Sequence, residues 1–131
     1  MARILIIDDE PQVVTMLQMY LEREGHATVS ANNGTEGLNI LAGSVFDIVI
    51  TDIVMPERDG FEVLMSIMKM PNRPKLIAIS GGTPYLTPKN LLEISENLKA
   101  DVVLPKPIKL LRLSEIIKEL LSGDNQGREM M

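Results

Sequence analysis

Ile4-Leu5-Ile6-Ile7-Asp8-Asp9 is the stretch that decides the fold. Four consecutive apolar residues followed at once by two acids read as a strand buried on both faces and ending at a polar rim. Three further runs have the same form. Ile48-Val49-Ile50-Thr51 ends in Asp52, Leu76-Ile77-Ala78-Ile79 ends in Ser80, and Val102-Val103-Leu104-Pro105 ends in Lys106. Ala27-Thr28-Val29-Ser30 reads as a short second strand. Ligands of an open parallel sheet bind just beyond the carboxyl ends of its strands. Three carboxylates, a hydroxyl and an ammonium would then converge on one site, a set suited to a divalent metal and a phosphoryl group.

Helical patterns alternate with these runs. Pro11 suits a first helical position. Val13, Val14, Leu17, Tyr20 and Leu21 recur at helical spacing until Gly25. The turn Asn32-Asn33-Gly34 precedes a weaker helix carrying Leu38 and Leu41, in which Gly37 lowers the propensity. Met55 to Gly60 reads as loop. Phe61, Leu64, Ile67 and Met68 form the next stripe, closed by Pro71 and Pro74. Gly81 to Pro88 is a second loop, and Leu91, Leu92, Ser95 and Leu98 mark a fourth helix. Leu110, Leu113, Ile116, Ile117, Leu120 and Leu121 mark a fifth, stopped by Gly123.

Five such units imply an α/β fold, a doubly wound five-stranded parallel sheet with helices on both faces. One five-strand order of this class, 2-1-3-4-5, has its ligand crevice between strands 1 and 3. That order makes Asp8-Asp9 and Asp52 neighbours and brings Ser80 and Lys106 alongside.

With 131 residues, one domain is expected. The net charge of -5 argues against direct binding of nucleic acid, and the two Phe, two Tyr and absent Trp argue against a base-stacking surface. No cysteine is present, which excludes disulfides and thiolate chemistry. The lone histidine, His26, reads as a surface or strand-edge residue. The apolar start is too short for a signal peptide or a membrane span, so a cytoplasmic protein with no membrane insertion is expected.

Clustered carboxylates repel one another at neutral pH unless a cation lies among them. All-oxygen ligation selects a hard ion, Mg²⁺ or Mn²⁺. A carboxylate beside such an ion can attack phosphorus and form an acyl phosphate. Lys106 would pair with a phosphoryl oxygen, and the Ser80 hydroxyl could bond to another and report its arrival.

The chain resembles a receiver domain of the two-component response-regulator family, with the flavodoxin-like fold. The resemblance rests on Ile7-Asp8-Asp9-Glu10-Pro11, on Thr51-Asp52-Ile53-Val54-Met55-Pro56 with Asp59-Gly60-Phe61, on Ser80-Gly81 and on Lys106-Pro107. It extends over residues 3-121, leaving 122-131 as a flexible tail. It implies that Asp52 is the phosphoacceptor. Asp9 would be a direct metal ligand, Asp8 would act mainly through metal-bound water, and the backbone carbonyl of Val54 would complete the set. Ser80 would be the switch hydroxyl and Lys106 the phosphate partner, next to a cis bond to Pro107. The partners implied are a sensor histidine kinase or phosphotransfer protein and an unknown downstream protein, with small acyl phosphates as further donors.

Taken singly, these residues have plainer readings. Asp8 or Asp9 could cap the first helix, Asp52 could form a turn, Ser80 could be a loop residue and Lys106 a solvated turn lysine. Their joint order and spacing favour the site. Three departures from the family stand out: Val103 where an aromatic ring is usual, a longer Gly81–Pro88 loop that could hold Tyr85 or Leu86 over the site, and Lys99-Ala100 for Gly-Ala. The short side chain of Val103 cannot swing as a ring does, which leaves a receiver-like interaction module that no longer switches as the alternative. A turnover enzyme is not expected, because aspartyl-phosphate phosphatases place a spacer between their two acids. The short remainder after the last helix suggests a stand-alone receiver.

Overall fold

The computed structural model describes residues 1–52, 59–80 and 101–123. All five apolar runs are strands: β1 (Arg3–Ile7), β2 (Ala27–Ala31), β3 (Ile48–Asp52), β4 (Lys75–Ser80) and β5 (Val102–Pro105). They form one parallel sheet, as the alternating pattern implies, and its order is β2-β1-β3-β4-β5, the one expected by analogy with this fold class. Among the described residues, four helices connect or follow them: α1 (Pro11–Arg23), α2 (Gly34–Gly43), α3 (Asp59–Met68) and α4 (Leu110–Ser122).

Strand alternation sends the apolar side chains of the central strands to two separate cores. On one face Ile4, Ile6, Ile48, Ile50, Ile77 and Ile79 pack with the buried residues of α1 and α4. On the other, Leu5, Ile7, Val49, Leu76 and Ala78 pack with Leu41 of α2 and with Val63 and Ile67 of α3. Each fully buried Ile or Leu contributes about 1.5–3 kcal/mol of transfer free energy. This two-sided burial is why the runs are continuous rather than alternating. Only β2, an edge strand, alternates between exposed and half-buried positions.

The helix ends follow from local chemistry. α1 begins at Pro11 and is followed by Gly25 in a left-handed conformation, φ +95°. α2 is capped by the Asn33 side chain, which accepts a hydrogen bond from the Glu36 N–H at 2.8 Å. α4 runs through Ser122 to a left-handed Gly123, one residue past the expected domain limit. α3 begins at Asp59, so Asp59 and Gly60 are helical rather than loop.

Gly37 has a packing reason that its low helix propensity conceals. A side chain there would overlap Ile7 Cδ1 and come within 2.9 Å of Ile7 Cγ1, so the glycine lets α2 lie close on β1. At the opposite end of the sheet from the site, Asp101 ties β4 to β5. Its Oδ2 accepts from the Leu76 N–H at 2.7 Å and pairs with Arg73 at 3.0 Å. The loop expected over 81–88 with Tyr85 and Leu86, the helix over 91–98, Lys99-Ala100, and the tail from 124 lie outside the described residues, as do Ile53 to Arg58.

Candidate phosphoryl and metal site

β1 and β3 are hydrogen-bonded neighbours, with Ile7 opposite Thr51, so the residues that follow, Asp8 and Asp52, emerge side by side. Both are buried, each only 2% exposed. Asp8 uses one oxygen locally: Oδ1 accepts from the Glu10 N–H at 2.9 Å and shapes the entry to α1. Asp8 does not cap α1, whose N-cap residue is Glu10 and which has no side-chain cap bond, so the capping reading of this acid does not hold. Asp8 Oδ2 is buried with no hydrogen-bond donor. Asp9 is exposed, and oxygens of Asp8, Asp9, Glu10 and Asp52 all lie within 4.8 Å of one another.

Lys106 arrives from the end of β5. Its Nζ donates to Asp52 Oδ2 at 3.0 Å and lies 3.4 Å from Asp8 Oδ2. Its shortest contact is to Glu10 Oε1, at 2.6 Å. The bond from Lys106 to Pro107 is cis. Burial alone would pull the ammonium pKa down. The hydrogen bonds to Glu10 and Asp52 and the charges of Asp52 and Asp8 outweigh it, leaving the group held firmly protonated. Burial pushes the Asp8 carboxyl above its ordinary range, against the opposing pull of the Glu10 N–H and the Lys106 charge.

Among the described residues, four carboxylates against one ammonium leave the cluster short of positive charge. Among the described residues, a buried carboxylate oxygen lacking a hydrogen-bond donor, beside three more carboxylates and no nitrogen or sulfur ligand, fits a hard divalent cation such as Mg²⁺ or Mn²⁺. Asp8, Asp9 and Asp52 have the right donor chemistry to hold it.

Not every expected residue can be located here. Ser80 ends β4 opposite Pro105 in the register, at the same rim of the sheet, but its side chain lies outside the described residues. Val54 lies outside them altogether. Val103 is half-buried against the core on the α2 and α3 face. His26, just before β2, accepts the Ala2 N–H on Nδ1 at 3.1 Å, far from the cluster in the fold. Glu10 is the residue to which the sequence reading assigned no role. Its signal was its place as the third acid of Asp8-Asp9-Glu10.

Comparison with known proteins agrees with this geometry. The family model for the response regulator receiver domain matches residues 4–118. A CpxR homolog from Haemophilus influenzae, a transcriptional regulatory protein, is 34% identical over 121 residues, which is 92% of this chain and 51% of that one. A CheY-like receiver domain protein from Methanospirillum hungatei superposes with a TM-score of 0.82 at 31% identity, covering 95% of this chain and 97% of that one. The response regulator TrrA from Thermotoga maritima, solved in complex with Mg²⁺ and BeF, matches with a TM-score of 0.77 at 32% identity, over 92% and 99% of the two chains. The chain spans 19% to 51% of the length of the first transcriptional regulators it matches.

Proposed function

The chain belongs to the response regulator receiver domain family, and on that premise we propose that it is a phosphoacceptor signalling domain. It takes a phosphoryl group from a phosphohistidine of a sensor histidine kinase or phosphotransfer protein onto Asp52, in a Mg²⁺-dependent reaction, and so switches the binding of a downstream protein. The observation that carries this reading is the buried Asp52 carboxylate, with Lys106 Nζ 3.0 Å away and Asp8 beside it.

In the proposed step an Asp52 oxygen forms a bond to phosphorus as the bond from phosphorus to the donor imidazole nitrogen breaks. The nitrogen keeps the electron pair: a ring already protonated on its other nitrogen leaves as neutral imidazole, and an unprotonated one leaves as imidazolate and takes a proton from water. With a small acyl phosphate as donor, a carboxylate oxygen leaves instead. Lys106 holds the acceptor carboxylate and offers N–H donors to the phosphoryl oxygens. Asp8, Asp9 and the Val54 carbonyl, with Asp52, would hold Mg²⁺, which supplies charge neutralisation at the transferring group. Ser80 would take a phosphoryl oxygen and convey its arrival. Water attack on the acyl phosphate returns the carboxylate, so the domain acts on itself rather than turning over a substrate.

An apolar cavity beside the site supports docking of a donor there. It measures about 430 Å³, is lined by Val13, Met16, Pro107, Ile108 and the stem of Lys106, and opens between α1 and the start of α4. No helix among the described residues is long and apolar enough to cross a membrane. Val103, already packed on the core, favours the second reading, an interaction module that does not switch.

Labelling by a small acyl phosphate with Mg²⁺ tests the first reading. Intact mass should show one added phosphoryl group, lost in Asp52→Ala and without Mg²⁺; labelling that survives the substitution refutes Asp52 as acceptor. Amide spectra unchanged by beryllium fluoride and Mg²⁺ would favour the second reading.

A further inference from the structure

Lys106 has a closer partner than the acceptor carboxylate. Its Nζ lies 2.6 Å from Glu10 Oε1, 3.0 Å from Asp52 Oδ2 and 3.4 Å from Asp8 Oδ2. Glu10 is the N-cap residue of α1, yet its side chain makes no cap bond. It reaches instead to a lysine 96 positions away. Its side chain is 46% exposed, against 2% and 3% for those of Asp8 and Asp52. Of the three carboxylates on Lys106, Glu10 is the one with open solvent to move into and a long side chain to move with.

An ammonium has three N–H donors. A phosphoryl group on Asp52 would bring several anionic oxygens within reach of the same donors. Glu10, if it stayed, would face those oxygens as a like charge. Resting on the phosphoacceptor reading, we infer that Glu10 is a positioning residue that holds Lys106 in the phosphoryl-free protein and competes with the phosphoryl group for it. The contact is given up at each phosphorylation and re-forms after hydrolysis. Glu10 thereby sets how readily the modified state is reached without touching the reacting atoms.

The test is a double-mutant cycle on the full chain, with beryllium fluoride as probe at saturating Mg²⁺ and amide spectra as readout. The proteins are the unmodified chain, Glu10→Gln, Lys106→Met and the double variant, with Lys106→Arg substituted if Lys106→Met does not fold. Glu10→Gln should bind beryllium fluoride about two- to fivefold more tightly, the scale of a partly exposed ion pair. That gain should shrink or vanish when Lys106 is changed. No gain with Lys106 in place, or an equal gain in both backgrounds, overturns the inference. Mg²⁺ alone is titrated first: a loss of affinity of about tenfold or more in Glu10→Gln would make Glu10 a metal ligand and overturn it too. Failure of the unmodified chain to bind beryllium fluoride would instead bring down the phosphoacceptor reading itself.

Discussion

Lys106 Nζ reaches Asp52 Oδ2 at 3.0 Å although β4 lies between the strands that carry them. The lysine stem therefore crosses the rim of the sheet above the end of β4, and its ammonium is held from both sides, by Asp52 of β3 and by Glu10 at the start of α1. One cation thus holds together an acid at the end of β3 and an acid at the start of α1, and its loss has a direction that can be stated.

Lys106→Met should lower the stability of the metal-free protein by about 3 kcal/mol, because it leaves the buried Asp8 and Asp52 carboxylates without their counter-charge. Urea denaturation in the presence of a chelator measures this. Added Mg²⁺ should recover part of the loss; an unchanged midpoint in chelator would contradict the ion-pair account.

Asp8→Asn should act in the opposite sense. Burial raises the Asp8 pKa above its ordinary value of 3.8, so the folded state binds this proton more readily than the unfolded state does. The ionised group accordingly disfavours folding above the raised pKa, and the penalty disappears as pH falls below the ordinary value. Asparagine keeps an acceptor for the Glu10 N–H and removes the charge. Metal-free stability at neutral pH should rise, while stabilisation by Mg²⁺ falls. A destabilised metal-free variant would count against this reading.

Mg²⁺ should stabilise the unmodified chain by about 2.7 kcal/mol at a hundredfold excess over the dissociation constant, and its thermal midpoint should rise with Mg²⁺ concentration accordingly. Asp9→Asn should flatten that dependence. Calorimetry across a Mg²⁺ series provides the check, with a chelated sample as baseline.

His26 should give stability a separate pH dependence. Burial, then the charge of the N-terminus, lowers its pKa below 6.5, against the opposing effect of Glu24. Its neutral Nδ1 accepts the Ala2 N–H. The unfolded chain takes up the proton first, so stability from this contact is present above the unfolded pKa and is lost as pH falls through the folded pKa. Comparing denaturation midpoints between about pH 5 and pH 7.5 should show a smaller slope in His26→Gln; equal slopes would remove the contact from the account.

Gly37→Ala should be destabilising despite the better helix propensity of alanine. The propensity gain is about 1 kcal/mol, whereas forcing a methyl group into a packed core costs about 1–3 kcal/mol. Ile7→Val, which removes Cδ1, should make the pair of substitutions less costly than their sum. Additive losses in denaturation would show that Ile7 is not the obstacle.

Much of the molecule could be read from local pattern. The apolar runs became the strands, Gly25 and Gly123 became left-handed caps, and Asp8, Asp52 and Lys106 stood at the carboxyl ends of strands β1, β3 and β5. The start of α3 was misplaced by two residues because Asp-Gly serves both as a turn and as a favourable helix entry. Gly37 read as a weak point of its helix, since nothing near it in the chain reveals the Ile7 side chain against which it packs.

By itself, the sequence determined which groups stand at the rim of the sheet, because strand burial and strand ends are encoded within a few residues of one another. Only the tertiary structure decided how those groups are partnered: that Asp8 spends one oxygen on the Glu10 N–H and leaves the other without a donor, and that Lys106 is shared between Glu10 and Asp52. Those pairings depend on side-chain reach between elements brought together by crossover connections, and a contact between residues 96 positions apart leaves no local pattern to read.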